Sequence, residues 1–290
     1  MKTLINKYPI TYRYVLAIFL FCLALFISGL VNKGFIKQYF PFASSICLLI
    51  ATWALLKTDK KSLNDIGLNF KLKNLLFLPL GILIGAIAFI VAKYLRAIYT
   101  GEIFNISTSI NYNSVLNGLY TILPTVAVEE FLFRGYLFKK TIEISSVIKA
   151  NILFSLLFTL IHVFDSDVIN NPGMIVFLVI SIPVGHLLFA TAILKSKSLF
   201  FPIGIHLGNN WATRHLITTS NDGESILYIT NNASFETWPS FIFFVLLWNA
   251  FFLLRSSQSC AYSINMSNYS ISGKNWQSVI GVLRNFFISL

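Results

Sequence analysis

Apolar residues come in long unbroken runs along this chain, and short polar stretches between them carry most of the charge. Eight runs stand out, at about 14–31, 40–56, 74–95, 114–138, 148–164, 173–194, 198–213 and 238–254. Each approaches the ~20 residues that a helix rising 1.5 Å per residue needs to cross a ~30 Å hydrocarbon core. The fifth and seventh are short, which predicts that they sit deep within protein. No internal repeat is detectable. The pattern predicts an all-α polytopic membrane protein, about eight transmembrane helices in one bundle.

Composition agrees. Of 290 residues, 56% are hydrophobic and only 11% charged, with 28 phenylalanines, which is outside the soluble globular range. That length would admit two soluble domains. The short connections instead predict a single helical membrane domain over 1–255, followed by a separate segment over 256–290. That segment opens with a serine- and asparagine-rich linker. Trp276, Ile280, Leu283, Phe287 and Leu290 then recur at helical spacing, which predicts an interfacial amphipathic helix. The first run is long and lacks a small-residue cleavage site, so it reads as a retained span and not a signal peptide.

Charge orients the bundle. Under one consistent alternation of loops, 17 lysines and arginines fall on one side and 5 on the other, which places both termini in the cytoplasm of a cell-membrane protein. The net charge of +11 does not indicate nucleic acid, because the basic residues lie between apolar runs and form no single patch. Cys22, Cys47 and Cys260 have neither CxxC spacing nor an even count, so no disulfide framework is expected. Gly81 and Gly85 form a GxxxG in the third run, a spacing that allows close helix packing. Ser62-Leu63-Asn64-Asp65 resembles a capping box that opens a short helix ending near Gly67. Pro124, Pro183 and Pro202 fall within runs and are expected to kink them.

Against this background Glu129, Glu130 and Arg134 are conspicuous. Ionisable residues inside a membrane helix are costly and mark functional sites by default. Helical spacing puts Glu130 and Arg134 one turn apart, able to pair, while Glu129 points about 100° away. Two later runs carry Phe158…His162 and His206…Asn210. Counted from the basic residue or polar turn at each boundary, Glu129 lies roughly 15 Å deep, His162 roughly 20 Å, and His206 and Asn210 roughly 12 and 18 Å. All four fall in one layer near mid-membrane. His186 reaches a similar depth, roughly 14 Å, but stands outside these motifs and reads as a packing histidine.

Peptide hydrolysis needs a base for water, a group to orient that water, and donors for the oxyanion. Glu129 is the candidate base and His162 the group that shares and orients the water. His206 and Asn210, four apart, present two N–H donors from one face with Cβ atoms about 6 Å apart. Glu130 would then compensate Arg134. A structural ion pair with buried packing histidines is the alternative. Glu129, His162 and His206 also make a possible zinc set, although HExxH is absent.

The motifs Glu129-Glu130…Arg134, Phe158…His162 and His206…Asn210 follow the order EExxxR, FxxxH and HxxxN. They resemble the CAAX-processing and bacteriocin-processing intramembrane proteases, the type II CAAX prenyl endopeptidase-like family. The Leu199–His206 lead-in and Asp65-Ile66-Gly67-Leu68 look similar too, and the resemblance is firm over about 114–214. It implies an eight-helix bundle with a buried cavity open to the cytoplasm. It also implies a metal-independent endopeptidase in which Glu129 and His162 activate water while His206 and Asn210 stabilise the oxyanion. Expected partners are the bilayer and a peptide or lipidated protein substrate, with no cofactor. A peptide-binding immunity or scaffold protein and a small-solute transporter are the competing readings.

Overall fold

The computed structural model describes residues 9–231, 235 and 237–249. The described residues are mostly helical and fall into two compact units, one joining Met1–Phe154 with Lys197–Ser234 and the other Ser155–Ser196 with Phe235–Leu290.

The first unit contains α1 (Pro9–Val31), α2 (Gly34–Tyr39), α3 (Ala43–Thr58), a 3₁₀ turn (Leu63–Ile66), α4 (Leu72–Leu75), α5 (Phe77–Thr100), β1 (Ile103–Ile106), α6 (Tyr112–Arg134) and α7 (Tyr136–Ile144). It resumes with α11 (Phe200–Trp211), a π-helical turn (Ala212–Leu216), β2 (Ile217–Thr218) and β3 (Leu227–Thr230). Helix α8 (Val147–Val163) starts in this unit and ends in the second, which also holds α9 (Ser166–Ile169), α10 (Pro172–Ser196) and α12 (Trp238–Asn249).

Among the described residues each of the eight apolar runs is largely helical, but the runs are not equal. Four helices, Pro9–Val31, Leu72–Thr100, Tyr112–Ile144 and Pro172–Ser196, are long and apolar enough to cross a membrane. Ala43–Thr58, Val147–Val163 and Trp238–Asn249 are shorter apolar helices. The eighth run beyond 249 and the predicted interfacial helix over 276–290 lie outside the described residues. Helix α1 shows how the long helices meet their surroundings. Ala17, Phe21, Ala24 and Ser28 form one buried stripe, while Val15 and Phe19 at 60% and Phe26 at 65% exposure face outward. So much exposed apolar surface would be a liability in water and is ordinary against lipid tails.

Helix α11 is held by close backbone packing against α5. A β-carbon added to Gly81 would lie 2.7 Å from the Phe201 carbonyl oxygen, and one on Gly85 only 2.1 Å from that of Ile205. The reverse also holds: on Gly204 it would lie 2.4 Å from the Leu78 oxygen, and on Gly208 2.1 Å from that of Ile82. Two GxxxG motifs therefore interlock, and neither helix admits a side chain at these four positions. The expected Gly81–Gly85 seam is only half of this arrangement.

Both ends of α11 are fastened as well. The Ser62 N–H donates to Asp65 Oδ2 (2.8 Å), completing the predicted capping box, and the turn ends at Gly67 with φ +86°. There Leu199 N–H donates to the Gly67 carbonyl (3.0 Å), and a β-carbon on Gly67 would strike Leu199 N at 2.7 Å. At the other end Trp211 Nε1 donates to the Val115 carbonyl of α6 (2.7 Å). The His215 ring covers Gly118, where a β-carbon would lie 2.3 Å from Cδ2, and its Nδ1–H donates to the Glu224 carbonyl (3.1 Å). Pro202 stands in the first turn of α11, where no N–H partner is needed, so it does not kink the helix as expected. Strand β3 pairs antiparallel with β1 and parallel with β2, in the order β1-β3-β2.

Candidate active site

Helix α6 brings Glu129, Glu130 and Arg134 to one end of the first unit. It stops after Arg134 because Gly135 turns away at ψ −133°, and a β-carbon on Gly135 would lie 2.3 Å from the Phe131 carbonyl oxygen. The predicted run 114–138 is thus two helices with a glycine break just beyond the motif. Glu130 and Arg134 are both fully buried, and Arg134 Nη1 donates to Glu130 Oε1 (3.1 Å), the i,i+4 pairing expected from spacing. Two buried charges are tolerable only when they compensate each other.

The finding that spacing did not anticipate is where His206 points. Its Nδ1 lies 2.9 Å from Glu130 Oε1, the oxygen that already accepts from Arg134. Its Nε2 lies 3.6 Å from Glu129 Oε2, beyond direct hydrogen-bond range. The ring therefore stands between the two carboxylates with one nitrogen toward each. Glu130 is a shared acceptor and not simply the counter-ion of Arg134. When both ring nitrogens carry protons, the two glutamates, the arginine and the imidazolium sum to zero charge, and Nε2–H is a donor aimed at the Glu129 side. Glu129 is the more accessible of the two carboxylates, its side chain 19% exposed against 0% for Glu130.

Asn210 follows His206 by one turn on α11 and is half-buried. The interlocked glycines alternate with these two residues along the helix, so the packing that fixes α11 against α5 also fixes the height of the imidazole and the amide. The HxxxN motif, 206–210, thus overlaps a second GxxxG, Gly204 to Gly208. The glycine spacing was present in the sequence but goes unnoticed beside the more chemical residues.

Phe158 and His162 belong to the second unit. The His162 Nδ1–H donates to the Phe158 carbonyl (2.8 Å), and the two rings meet edge to face with centroids 4.6 Å apart. With Nδ1 as the donor, Nε2 carries the lone pair, the form suited to accepting a proton or a ligand. His186 is fully buried on α10.

For zinc, the 3.6 Å between Glu129 Oε2 and His206 Nε2 lets both reach one ion, but a third protein ligand is required. Among the described residues, neither unit contains by itself a group of three His, Cys, Asp or Glu side chains placed to hold a metal.

Outside the membrane helices, Asp59 organises the nearby chain. It accepts from Lys140 Nζ (2.8 Å) and Tyr136 Oη (2.9 Å) and pairs with Arg13 (3.1 Å). Burial alone would push its carboxyl up, but the hydrogen bonds from Lys140 and Tyr136 and the charges of Lys140 and Arg13 outweigh it. They hold the group below the usual carboxylate range.

Residues 111–212 match the family model for Rce1-like proteins, type II CAAX prenyl endopeptidase Rce1-like. The matched segment opens at Asn111, which caps α6, and closes at Ala212, just past α11, so it spans all three motifs. No curated protein and no solved structure matches the chain.

Proposed function

We propose, for a membrane protein whose residues 111–212 belong to the Rce1-like family of type II CAAX prenyl endopeptidases, that the chain is an intramembrane endopeptidase acting on membrane-bound or lipidated peptides. In this reading it is a multi-pass protein of the cell membrane with cytoplasmic termini and a cavity open to the cytoplasm. The observation that carries the reading is the His206 ring between two carboxylates, Nδ1 on Glu130 and Nε2 toward Glu129. A merely structural Glu–Arg pair has no need of an imidazole so held.

In the proposed reaction Glu129 takes a proton from water as its oxygen attacks the scissile carbonyl carbon. The carbonyl π bond becomes an oxyanion, which accepts hydrogen bonds from His206 Nε2–H and the Asn210 amide. The C–N bond then breaks as the proton on Glu129 passes to the departing amine, leaving a new carboxylate and a new amine. Glu130 acts through His206, fixing its ring, much as a carboxylate orients the histidine of a hydrolytic triad. His162, whose Nδ1–H donates to the Phe158 carbonyl, is assigned to water activation on the strength of the motif order.

Cleavage assays on purified protein in vesicles test this reading, with prenylated and unmodified peptides of the same sequence. Product from either supports it, and the ratio between them defines the substrate class. Binding of both peptides with no product from either supports the immunity or scaffold reading. Retention of activity under a zinc chelator is expected, and loss restored only by added zinc overturns the metal-independent mechanism.

A further inference from the structure

Thr52 lies in the middle of α3 and is fully buried, yet its Oγ has no hydrogen-bond partner among the described residues. Helical threonines ordinarily donate back to a carbonyl one turn earlier. Thr58, Thr100, Thr121, Thr141 and Thr159 all do so here, and Thr52 does not. A second buried oxygen without a partner among the described residues is Glu130 Oε2, since Oε1 alone takes both Arg134 and His206.

Two cross-links place these atoms at one level. Ser45 Oγ on α3 donates to the Pro124 carbonyl of α6 (2.9 Å), and Tyr136 Oη at the start of α7 donates to Asp59 just past α3 (2.9 Å). The two anchored stretches therefore run parallel. Thr52 is the midpoint of 45 and 59, and Glu130 is the midpoint of 124 and 136. Measured from the Ser45 anchor, the two residues stand roughly 10 and 9 Å along their helices. Ser45, Thr52 and Asp59 recur every seven residues and so share one face of α3. That face meets α6 at the Ser45 anchor and the first residue of α7 at the Asp59 anchor.

We propose that Thr52 is a positioning residue whose hydroxyl donates to Glu130 Oε2 in the working enzyme, so that Oε1 is left to orient His206. Threonine in a helix has two accessible χ1 rotamers, and a change between them re-aims the hydroxyl without moving the backbone. The inference rests on the peptidase reading for its effect on turnover, but not for the hydrogen bond itself.

Thr52→Val preserves shape and removes the hydroxyl, while Thr52→Ser keeps it. Infrared difference spectra test the bond without any substrate. Thr52→Val should shift the carboxylate stretching bands relative to wild type, Thr52→Ser should not, and the shift should vanish when Glu130→Gln is combined with Thr52→Val. Turnover tests the role. Thr52→Val should lower kcat by about tenfold, the order expected of one hydrogen bond to a charged group, with KM unchanged and with Thr52→Ser restoring it. Superimposable carboxylate bands overturn the proposal. A clear shift with no peptide cleaved by wild type leaves the bond standing and overturns the peptidase reading instead.

Discussion

His206 Nδ1 and Glu130 Oε1 lie 2.9 Å apart inside the first unit, and this bond links the second chemical motif of that unit to the first. It determines which ring nitrogen remains for chemistry. Glu130→Gln keeps an oxygen acceptor but removes the charge that Arg134 requires. Loss of one member of a buried pair costs on the order of 3–5 kcal/mol. The variant should unfold at a markedly lower temperature in detergent, and any folded fraction should show reduced kcat. Thermal unfolding and turnover measured on the same sample check this.

The interlocked glycines give a purely steric prediction. A methyl at position 208 would overlap the Ile82 carbonyl oxygen, which belongs to backbone and cannot swing aside. Gly208→Ala should force α5 and α11 apart, costing about 1–3 kcal/mol or more and displacing both His206 and Asn210. Gly29, around which a β-carbon meets nothing within 4 Å, supplies the control: Gly29→Ala should leave unfolding and activity unchanged.

Asp59 sets an acid limit. Because its folded carboxyl titrates below the ordinary value, its ionised form stabilises the fold at any pH above about 4, the unfolded value, and that contribution disappears as pH falls through the lower folded value. Asp59→Asn should lower the unfolding temperature at pH 7, and the gap from wild type should close toward pH 3. Unfolding curves at pH 3, 5 and 7 show whether it does.

Much of this was legible from the chain. The Glu130–Arg134 pair follows from an i,i+4 spacing in an apolar run, and the capping box at Ser62 and Asp65 from four consecutive residues. Such features are local, and local geometry is what sequence spacing encodes. The meeting of Glu130 with His206 is not local, since 76 residues separate them. Depth arithmetic could place both in one layer, but it says nothing of rotation about a helix axis, so Glu130 was expected to serve Arg134 alone. Gly204 and Gly208 were visible as letters; their partnership with Gly81 and Gly85 appears only when α5 and α11 are seen together. Similarly, counting apolar runs marks where helices lie but not their lengths. The break at Gly135 and the π-helical turn after Trp211 arise from packing that hydropathy does not register.

The most direct measurement concerns Glu129. Glu129→Gln is nearly isosteric and leaves the buried Glu130–Arg134 pair and the Glu130–His206 contact in place, so the protein should fold and bind a membrane-embedded peptide substrate with unaltered affinity. Peptide cleavage by purified wild type and by the variant should differ by at least about 100-fold in kcat, the scale of a lost general base. Equal cleavage by the two proteins contradicts the account.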